Sequence, residues 1–322
     1  MNAAAVTPGS VTGAVDIGGT KITVGLVDDA GRVLRRADMP TAASDGFDPA
    51  MQSIAALLEQ FRAELGCELC GIGIGCTGPV DPFSGEVCQA DFLPGWQGCN
   101  LVATLQRCCG VRVVLENDAD AAALGELFWG AGRGWRNFIC VTVGTGIGGG
   151  IIVNGALYRG VGGAHPEVGH HTIDASGPLC YCGARGCWEV LASGTAIAAQ
   201  ARFALPAEDP QRDTLTADEL CARARSGDAA ALRAVARAGR HLGIGVANLV
   251  TMYAPDAILL SGSVMDSAEL FLPTIRAVVR ECCTLVPADQ VTLATASLGS
   301  EAPLVGAAAA WWHRYPGSAR SC

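Results

Sequence analysis

Charged side chains are scarce in this chain, at 16% of its 322 residues, whereas hydrophobic side chains make up 50%. A chain so rich in apolar residues can bury a substantial core, which excludes intrinsic disorder. Its length favours two domains over one small core. Basic residues are fewer than acidic ones, 22 against 31, for a net charge of −9. This balance argues against nucleic acid and against an anionic membrane surface as partners.

The chain also lacks the signals of export and of membrane insertion. It opens without a basic segment or an apolar run, so we expect no signal peptide. The longest uncharged run, between Arg136 and Arg159, is rich in glycine and carries two asparagines, unlike a lipid-facing helix. The 15 cysteines include two adjacent pairs, which rarely form disulfides. We therefore expect a cytoplasmic protein with no membrane partner.

Glycine, by contrast, is abundant, with 42 residues, and it marks a pattern that occurs twice. The pattern is a strand, a Gly/Thr turn, a strand, an Asx/Gly turn and a further strand, followed by helix-rich sequence. The first copy spans residues 11–33, with its Gly/Thr turn at 18–20. The second spans residues 138–158, with its Gly/Thr turn at 144–146. The repetition predicts a duplicated α/β unit, whose two halves would face each other across a cleft.

The segment GTGIGG at 144–149 has the spacing of a dinucleotide-binding motif, which requires a helix to begin inside it. Here the sequence continues as IIVNGALY, which is β-branched and ends in an Asn-Gly hairpin signal. We therefore reject a nicotinamide site. No GxxxxGK[ST] segment occurs either, which excludes a P-loop protein.

Each Gly/Thr turn alone is most simply an ordinary hairpin turn, but the repetition with threonine in both favours phosphate binding. The exposed N–H groups of such turns form concavities that bind anions. Asp16, directly before the first turn, would then bind Mg²⁺ directly or through water. The residues predicted to hold phosphates are Gly18, Gly19, Thr20, Gly144, Thr145 and Gly146, with Lys21 as a further donor.

A candidate proton acceptor lies in Glu116-Asn117-Asp118, where a strand ends and a helix begins at an acidic cap. The helix dipole stabilises a carboxylate there as the anion, so it remains able to accept a proton. A plain N-cap is at least as good an explanation. Asp120 fits either role, so the assignment of base and cap stays open.

A candidate metal site is formed by His170, Cys180, Cys182 and Cys187, with glycines between them that turn the chain. Three thiolates and one imidazole suit a closed tetrahedral Zn²⁺ site, which would be structural. His171 is an alternative ligand, and unrelated buried thiols are the alternative explanation. Glu167 and Glu189 flank this segment, and such paired carboxylates suit a ligand with several hydroxyls.

Together these segments resemble the ROK family of repressors, open reading frames and sugar kinases, over nearly the whole chain. DIGGTK (16–21) and VGTGIGGGIIVNG (143–155) look like its two phosphate motifs, and GIGIGCTGPVD (71–81) looks like its sugar-loop strand. ENDADAAALGE (116–126) looks like its catalytic motif, and EVGH (167–170) with CYCGARGCWE (180–189) is similar to its zinc-and-sugar signature.

The resemblance implies the duplicated RNase H-like, actin-type ATPase fold and an ATP-dependent hexose kinase that forms a homodimer. It makes Asp118 the base that takes the proton from the sugar hydroxyl. ATP would be held by both phosphate turns and by Gly262, in the place of the adenosine loop. The residues implied to bind the sugar are Gly78, Asn117, Glu167, His170 and Glu189.

For the domains, we expect a small N-terminal domain over 1–118, completed by a C-terminal helix at 303–316, and a large domain over 119–302 that contains the zinc loop. Glucose is the expected substrate. Fructose is one alternative, because His165-Pro166-Glu167 is closer to the fructokinase branch of the family. N-acetylmannosamine is another, because CYCGARGCWE (180–189) looks like the glucokinase and N-acetylmannosamine kinase type. A sugar sensor without catalysis is the alternative of a different class. A DNA-binding repressor is disfavoured, because only fifteen residues precede Asp16.

Overall fold

The computed structural model describes residues 10–88, 91–204, 209 and 213–316. The chain forms two compact units. The first comprises the residues up to Gly134, Leu157–His165 and the residues from Ser297 onward. The second comprises Trp135–Ala156 and Pro166–Ala296. The chain therefore returns to the first unit twice after leaving it.

The strands among the described residues are β1 (Val11–Ile17), β2 (Lys21–Asp28), β3 (Val33–Pro40), β4 (Leu69–Cys76), β5 (Val80–Asp81), β6 (Glu86–Val87), β7 (Val113–Asn117), β8 (Phe138–Val143), β9 (Ile147–Val153), β10 (Ala156–Leu157), β11 (Ala257–Ser261) and β12 (Thr292–Thr295). The α-helices are α1 (Phe47–Leu65), α2 (Leu101–Cys109), α3 (Asp118–Trp129), α4 (Trp188–Ala192), α5 (Gly194–Ala204), α6 (Ala217–Arg225), α7 (Ala229–Tyr253), α8 (Ala268–Cys282) and α9 (Ala302–Arg314). Short 3₁₀ turns include Val168–His170 and Ser263–Ser267.

The first unit contains a five-stranded sheet in the order β3-β2-β1-β4-β7. β1, β2 and β3 are antiparallel neighbours, whereas β4 and β7 run parallel to β1. In this register Asp16 lies beside Gly75, and Gly75 lies beside Glu116. The carboxyl ends of β1, β4 and β7 consequently meet at one edge, which is where ligands bind in open α/β sheets.

The second unit contains a five-stranded sheet in the order β10-β9-β8-β11-β12. β8 is antiparallel to β9 and parallel to β11, which is parallel to β12. This repeats the order of the first sheet and confirms the predicted duplication. The uncharged run forms buried strands here, with Asn154 and Gly155 at positive φ as an Asn-Gly hairpin requires. No helix within the described ranges combines the length and apolarity needed to cross a bilayer.

The core of the first unit has two parts. In one part, Ile54, Leu58 and Phe61 of α1 pack with β1, β2 and β4 in one apolar cluster. A second contact joins α3 to α9, so closely that a Cβ on Gly125 would lie 3.0 Å from the Cα of Gly306. α3 therefore packs within the first unit, whereas the expected boundary at 118 assigned it to the large domain. Gly125 and Gly306 are far apart in the sequence, so no local sequence pattern predicts that their helices pack together.

The core of the second unit is built largely by α7 and α8 against the second sheet. Trp188, in α4, is fully buried in this core. A Cβ on Gly245 of α7 would lie 2.0 Å from the indole ring of Trp188. This close packing fixes α4, the helix that also carries Glu189.

Candidate active site

Asp118 is the first residue of α3 and directly follows β7, so it lies at the carboxyl edge of the first sheet. The helix is capped by Asn117, whose Oδ1 accepts hydrogen bonds from the N–H groups of Ala119 at 2.9 Å and Asp120 at 3.4 Å. The cap is thus an amide and not the acidic residue that we predicted. The carboxylate of Asp118 is exposed in the first helical turn, where the helix dipole favours the anion.

Asp120, the other candidate for the base, is fully buried. Its Oδ1 lies 2.9 Å from Nδ1 of His165, and its Oδ2 lies 3.8 Å from Nη1 of Arg159. Nη2 of Arg159 donates to both carboxylate oxygens of Glu116 at 2.5 Å. Asp120 therefore belongs to a buried polar network within the first unit, and Asp118 is the carboxylate that is open to a ligand.

Asp16 lies close to Asp118. Its Oδ1 and the Cα of Asp118 are each 3.7 Å from the position that a Cβ on Gly75 would take. Burial, and next the negative charge of Asp118, raise the pKa of Asp16 to about 7. Because the charge of Asp118 disfavours the anion of Asp16, a divalent cation beside Asp16 would be favourable, since its positive charge would offset that repulsion.

The first Gly/Thr turn joins β1 to β2 and is exposed at Gly19, Thr20 and Lys21. Thr41 holds its carbonyl oxygens: Oγ1 donates to the oxygen of Gly18 at 2.6 Å, and the backbone N–H donates to the oxygen of Thr20 at 3.0 Å. Thr41 thus fixes the conformation of the turn. The N–H of Gly18 is used within the turn, where it donates to the carbonyl oxygen of Lys21 at 2.9 Å. Nζ of Lys21 lies 3.8 Å from Asp38.

Gly78 follows β4 and precedes a cis peptide bond to Pro79. A Cβ on Gly78 would lie 3.1 Å from Nδ2 of Asn117. These two predicted sugar-binding residues are therefore neighbours, and a side chain at position 78 would displace the amide of Asn117.

The second Gly/Thr turn joins β8 to β9 and is held by the start of α5. The carbonyl oxygen of Gly144 accepts from the N–H of Gly194 at 2.7 Å. The carbonyl oxygen of Thr145 accepts from Oγ1 of Thr195 at 2.9 Å. Within the turn, the N–H of Gly144 donates to the carbonyl oxygen of Gly146 at 3.0 Å. The arrangement repeats, with different partners, what Thr41 does at the first turn.

Gly262 adjoins this second turn, because β8 and β11 are parallel neighbours that end together. A Cβ on Gly262 would lie 2.4 Å from the carbonyl oxygen of Val143. Ser263 is also close, with Oγ 3.9 Å from the position of a Cβ on Gly144. The predicted adenosine loop and the second phosphate turn thus form one surface of the second unit.

Glu189 connects this turn to the predicted sugar ligands. Its Oε2 accepts from the N–H of Ile147 at 2.8 Å, and a Cβ on Gly146 would lie only 2.4 Å from that oxygen. Oε1 of Glu189 lies 4.0 Å from Nε2 of His170. Glu167 is exposed at the start of the same 3₁₀ turn, and its carbonyl accepts from the N–H of His170 at 3.0 Å. The second unit therefore places Glu189 beside His170, with the backbone of Glu167 in the turn that carries His170.

The four predicted metal ligands also come together. Donor atoms of His170, Cys180, Cys182 and Cys187 all lie within 4.8 Å of one another. Nδ1 of His170 is 3.6 Å from Sγ of Cys180, and Sγ of Cys182 is 3.3 Å from Sγ of Cys187. With Zn–S bonds of about 2.3 Å and Zn–N bonds of about 2.0 Å, tetrahedral donors lie about this far apart. The residues present thus fit a structural Zn²⁺ ion.

His171 does not belong to this cluster. Its Nδ1 lies 2.6 Å from the carbonyl oxygen of Val168, and its ring is 5.4 Å from that of Trp188. The alternative ligand is therefore discarded, because His171 is directed toward Trp188 and away from the thiols.

Sequence reasoning missed three residues. Arg159 and His165, the partner of Asp120, lie in the first unit, and Tyr181 lies in the second. The hydroxyl of Tyr181 lies 3.0 Å from Nε2 of His170. Arg159 sits 43 positions from Glu116, and no motif connects them. The position of Tyr181 between two predicted zinc ligands was the one available signal.

Comparison with known proteins agrees with these observations. The model of the ROK family matches residues 12–314. A glucokinase of Streptomyces coelicolor is 36% identical over 308 residues, which cover 91% of this chain and 95% of that protein. An N-acetylmannosamine kinase of Salmonella agona is 33% identical over 296 residues, covering 92% of this chain and 96% of that protein.

Among solved structures, a ROK family glucokinase from Streptomyces griseus, in complex with glucose and AMPPNP, is 35% identical. Its TM-score is 0.81, and the match covers 93% of this chain and 98% of that one. The predicted duplicated RNase H-like, actin-type fold is thereby confirmed.

Proposed function

The chain belongs to the ROK family, and on that premise we propose that it transfers the γ-phosphate of ATP to a hydroxyl of glucose, giving glucose 6-phosphate and ADP. The observation that carries the proposal is the exposed carboxylate of Asp118, next to Asn117 and close to Asp16. The similarity to glucokinases over most of the chain supports glucose as the acceptor.

In this reaction Asp118 accepts the proton of the attacking hydroxyl. The helix dipole favours its anion in the first turn of α3, and its exposure leaves it accessible to a ligand. Asn117 is held by its capping bonds through Oδ1, so its Nδ2 keeps one direction and can orient the sugar. Phosphoryl transfer depends mainly on such alignment and on charge neutralisation.

The two Gly/Thr turns hold the phosphates of ATP through backbone N–H groups, and Gly262 borders the site of the adenosine. Asp16 is the residue that would hold Mg²⁺. The ion would supply positive charge to the phosphates and to the Asp16–Asp118 pair. Lys21, half exposed beside Asp38, is a further donor to phosphate.

Glu167, His170 and Glu189 bind the remaining sugar hydroxyls. The carboxylates accept hydrogen bonds from the sugar hydroxyls, and the imidazole is held in place by the metal cluster. We propose that His170, Cys180, Cys182 and Cys187 bind one structural Zn²⁺. Cys187 is the residue directly before α4, so fixing its thiol also fixes Glu189.

We further propose that the protein is a homodimer in the cytoplasm that binds neither nucleic acid nor membrane. Its acidic balance of charge supports the last two points, and the family resemblance supports the dimer. Sedimentation equilibrium on the full chain tests the oligomeric state.

A coupled assay of ADP release tests the function. Zinc-loaded protein is given ATP, Mg²⁺ and one sugar at a time: glucose, mannose, fructose, N-acetylglucosamine or N-acetylmannosamine. We expect the largest kcat/KM with glucose. The similarity to an N-acetylmannosamine kinase makes that sugar the second candidate.

The control variants are Asp118→Asn, which should lose turnover while binding sugar, and Asp289→Asn, an exposed site that should leave turnover intact. Sugar binding without ADP release in the unchanged protein would favour the sugar sensor.

A further inference from the structure

The hydroxyl of Tyr181 lies among the predicted sugar ligands of the second unit. It is 3.0 Å from Nε2 of His170, and the two rings meet edge to face with centroids 5.1 Å apart. Tyr181 is nevertheless 66% exposed. Its hydroxyl is therefore held by polar contacts, while most of its surface remains outside the core.

The two nitrogens of His170 face different partners. Nδ1 lies 3.6 Å from Sγ of Cys180, on the side of the metal cluster, and Nε2 faces Tyr181. A neutral imidazole whose Nδ1 binds a metal carries its proton on Nε2. Nε2 then has one hydrogen to donate, and the oxygen of Tyr181 accepts it.

Glu189 also contacts the Tyr181 hydroxyl, which forms a hydrogen bond with its carboxylate. A phenol carries one proton, and in this bond it is donated to the carboxylate. Oε1 of Glu189 is 4.0 Å from Nε2 of His170, so one hydroxyl can serve both groups.

A sugar hydroxyl has the same capacity as this phenol, one donated proton and two acceptor lone pairs. We propose that the Tyr181 hydroxyl occupies, in the sugar-free protein, the place of the sugar hydroxyl that binds His170 and Glu189, and that Tyr181 must leave when the sugar binds. The proposal rests on the function proposed above, in that His170 and Glu189 are taken to be sugar ligands.

Two consequences follow from this substitution of one hydroxyl by another. Glucose has to break the contacts of Tyr181 before it can bind, so the tyrosine lowers its affinity. A deoxyglucose that lacks the hydroxyl in question can bind with Tyr181 left in place, so His170 and Glu189 remain paired. Tyr181 therefore tunes the selectivity between glucose and that deoxy sugar.

Calorimetric titration of the zinc-loaded, full-length protein without nucleotide tests the proposal. The ligands are glucose and the series of monodeoxyglucoses, and the variant is Tyr181→Phe, which removes only the hydroxyl. We expect glucose to bind the variant about three- to tenfold more tightly, the worth of one or two net hydrogen bonds. For one member of the deoxy series, the Kd divided by the Kd of glucose should be larger in the variant than in the unchanged protein, by a similar factor.

Leu179→Ala is the matched control, since Leu179 is exposed in the same loop. This change should alter neither the affinity for glucose nor the affinity of each deoxyglucose relative to glucose. The zinc content of each variant, measured by elemental analysis, must equal that of the unchanged protein. Weaker or unaltered glucose binding by Tyr181→Phe, or an unaltered deoxy ratio throughout the series, would overturn the inference. Absence of any sugar binding in the unchanged protein would instead count against the proposed function.

Discussion

Replacing Arg159 by methionine should destabilise the first unit, because it leaves Glu116 buried without its partner. The side chain of Glu116 is 5% exposed, and Nη2 of Arg159 lies 2.5 Å from both of its oxygens. Asp120 would lose the same neighbour at 3.8 Å. Methionine keeps an unbranched stem of similar length, so the change mainly removes the charge.

Loss of one partner from a buried ion pair costs about 3–5 kcal/mol of unfolding free energy. The cost depends on pH in a defined direction. Burial raises the pKa of Glu116 even though Arg159 lowers it, so removal of Arg159 should raise it further. A raised pKa in the folded state means that the folded protein takes up the proton more readily than the unfolded chain. The destabilisation should therefore be greatest near pH 7 and shrink as the pH falls toward about 4.3, the ordinary value of glutamate.

Urea unfolding, followed by tryptophan fluorescence at pH 7 and at pH 5, measures this effect. The double variant Arg159→Met/Glu116→Gln should recover part of the loss at pH 7, since it removes the unpaired charge. Arg133→Met, at an exposed position of the same unit, is the control. The reasoning is refuted if Arg159→Met unfolds at the same urea concentration as the unchanged protein, or if its loss is equal at both pH values.

Three further changes test the proposed site. Asp118→Asn should lower kcat by about 10²–10⁴-fold with little change in the calorimetric Kd for glucose, because only the proton acceptor is lost; an equal effect on Kd would contradict this role. Elemental analysis should show one Zn²⁺ per chain in the unchanged protein and none in Cys182→Ser, which should also bind glucose more weakly. A zinc-free variant with full affinity for glucose would show that the metal does not position the sugar ligands. Gly146→Ala should raise the KM for glucose about tenfold, because its Cβ would lie 2.4 Å from Oε2 of Glu189 and displace that carboxylate; an unchanged KM would show that Glu189 does not bind the sugar.

The zinc cluster shows what a sequence can predict about a site. Cys180, Cys182 and Cys187 lie within eight positions, with His170 ten positions earlier. At such separations the intervening turns leave the chain few ways to keep the donors apart, and the structure brings all four together. The Gly/Thr turns were readable for the same reason, because strand, turn and strand follow one another along the chain.

The network around Asp120 shows where that reasoning ends. From the sequence, Asp118 and Asp120 were equal candidates, since both stand in the first turn of one helix. Their difference comes from Arg159 and His165, which a later segment of the chain carries back into the first unit. That return buries one aspartate among partners and leaves the other exposed.

What the sequence alone determined about this protein is the set of locally encoded parts: the duplicated strand pattern, the two Gly/Thr turns, the capped start of a helix and the cysteine cluster. Each depends on periodicity or spacing over a few residues, which backbone geometry converts directly into structure. Only the tertiary structure decided that Asp120 is buried, that α3 packs on α9 and that Tyr181 meets His170. These outcomes depend on which distant side chains share a desolvated volume, and the free energy of that packing is a property of the whole folded unit.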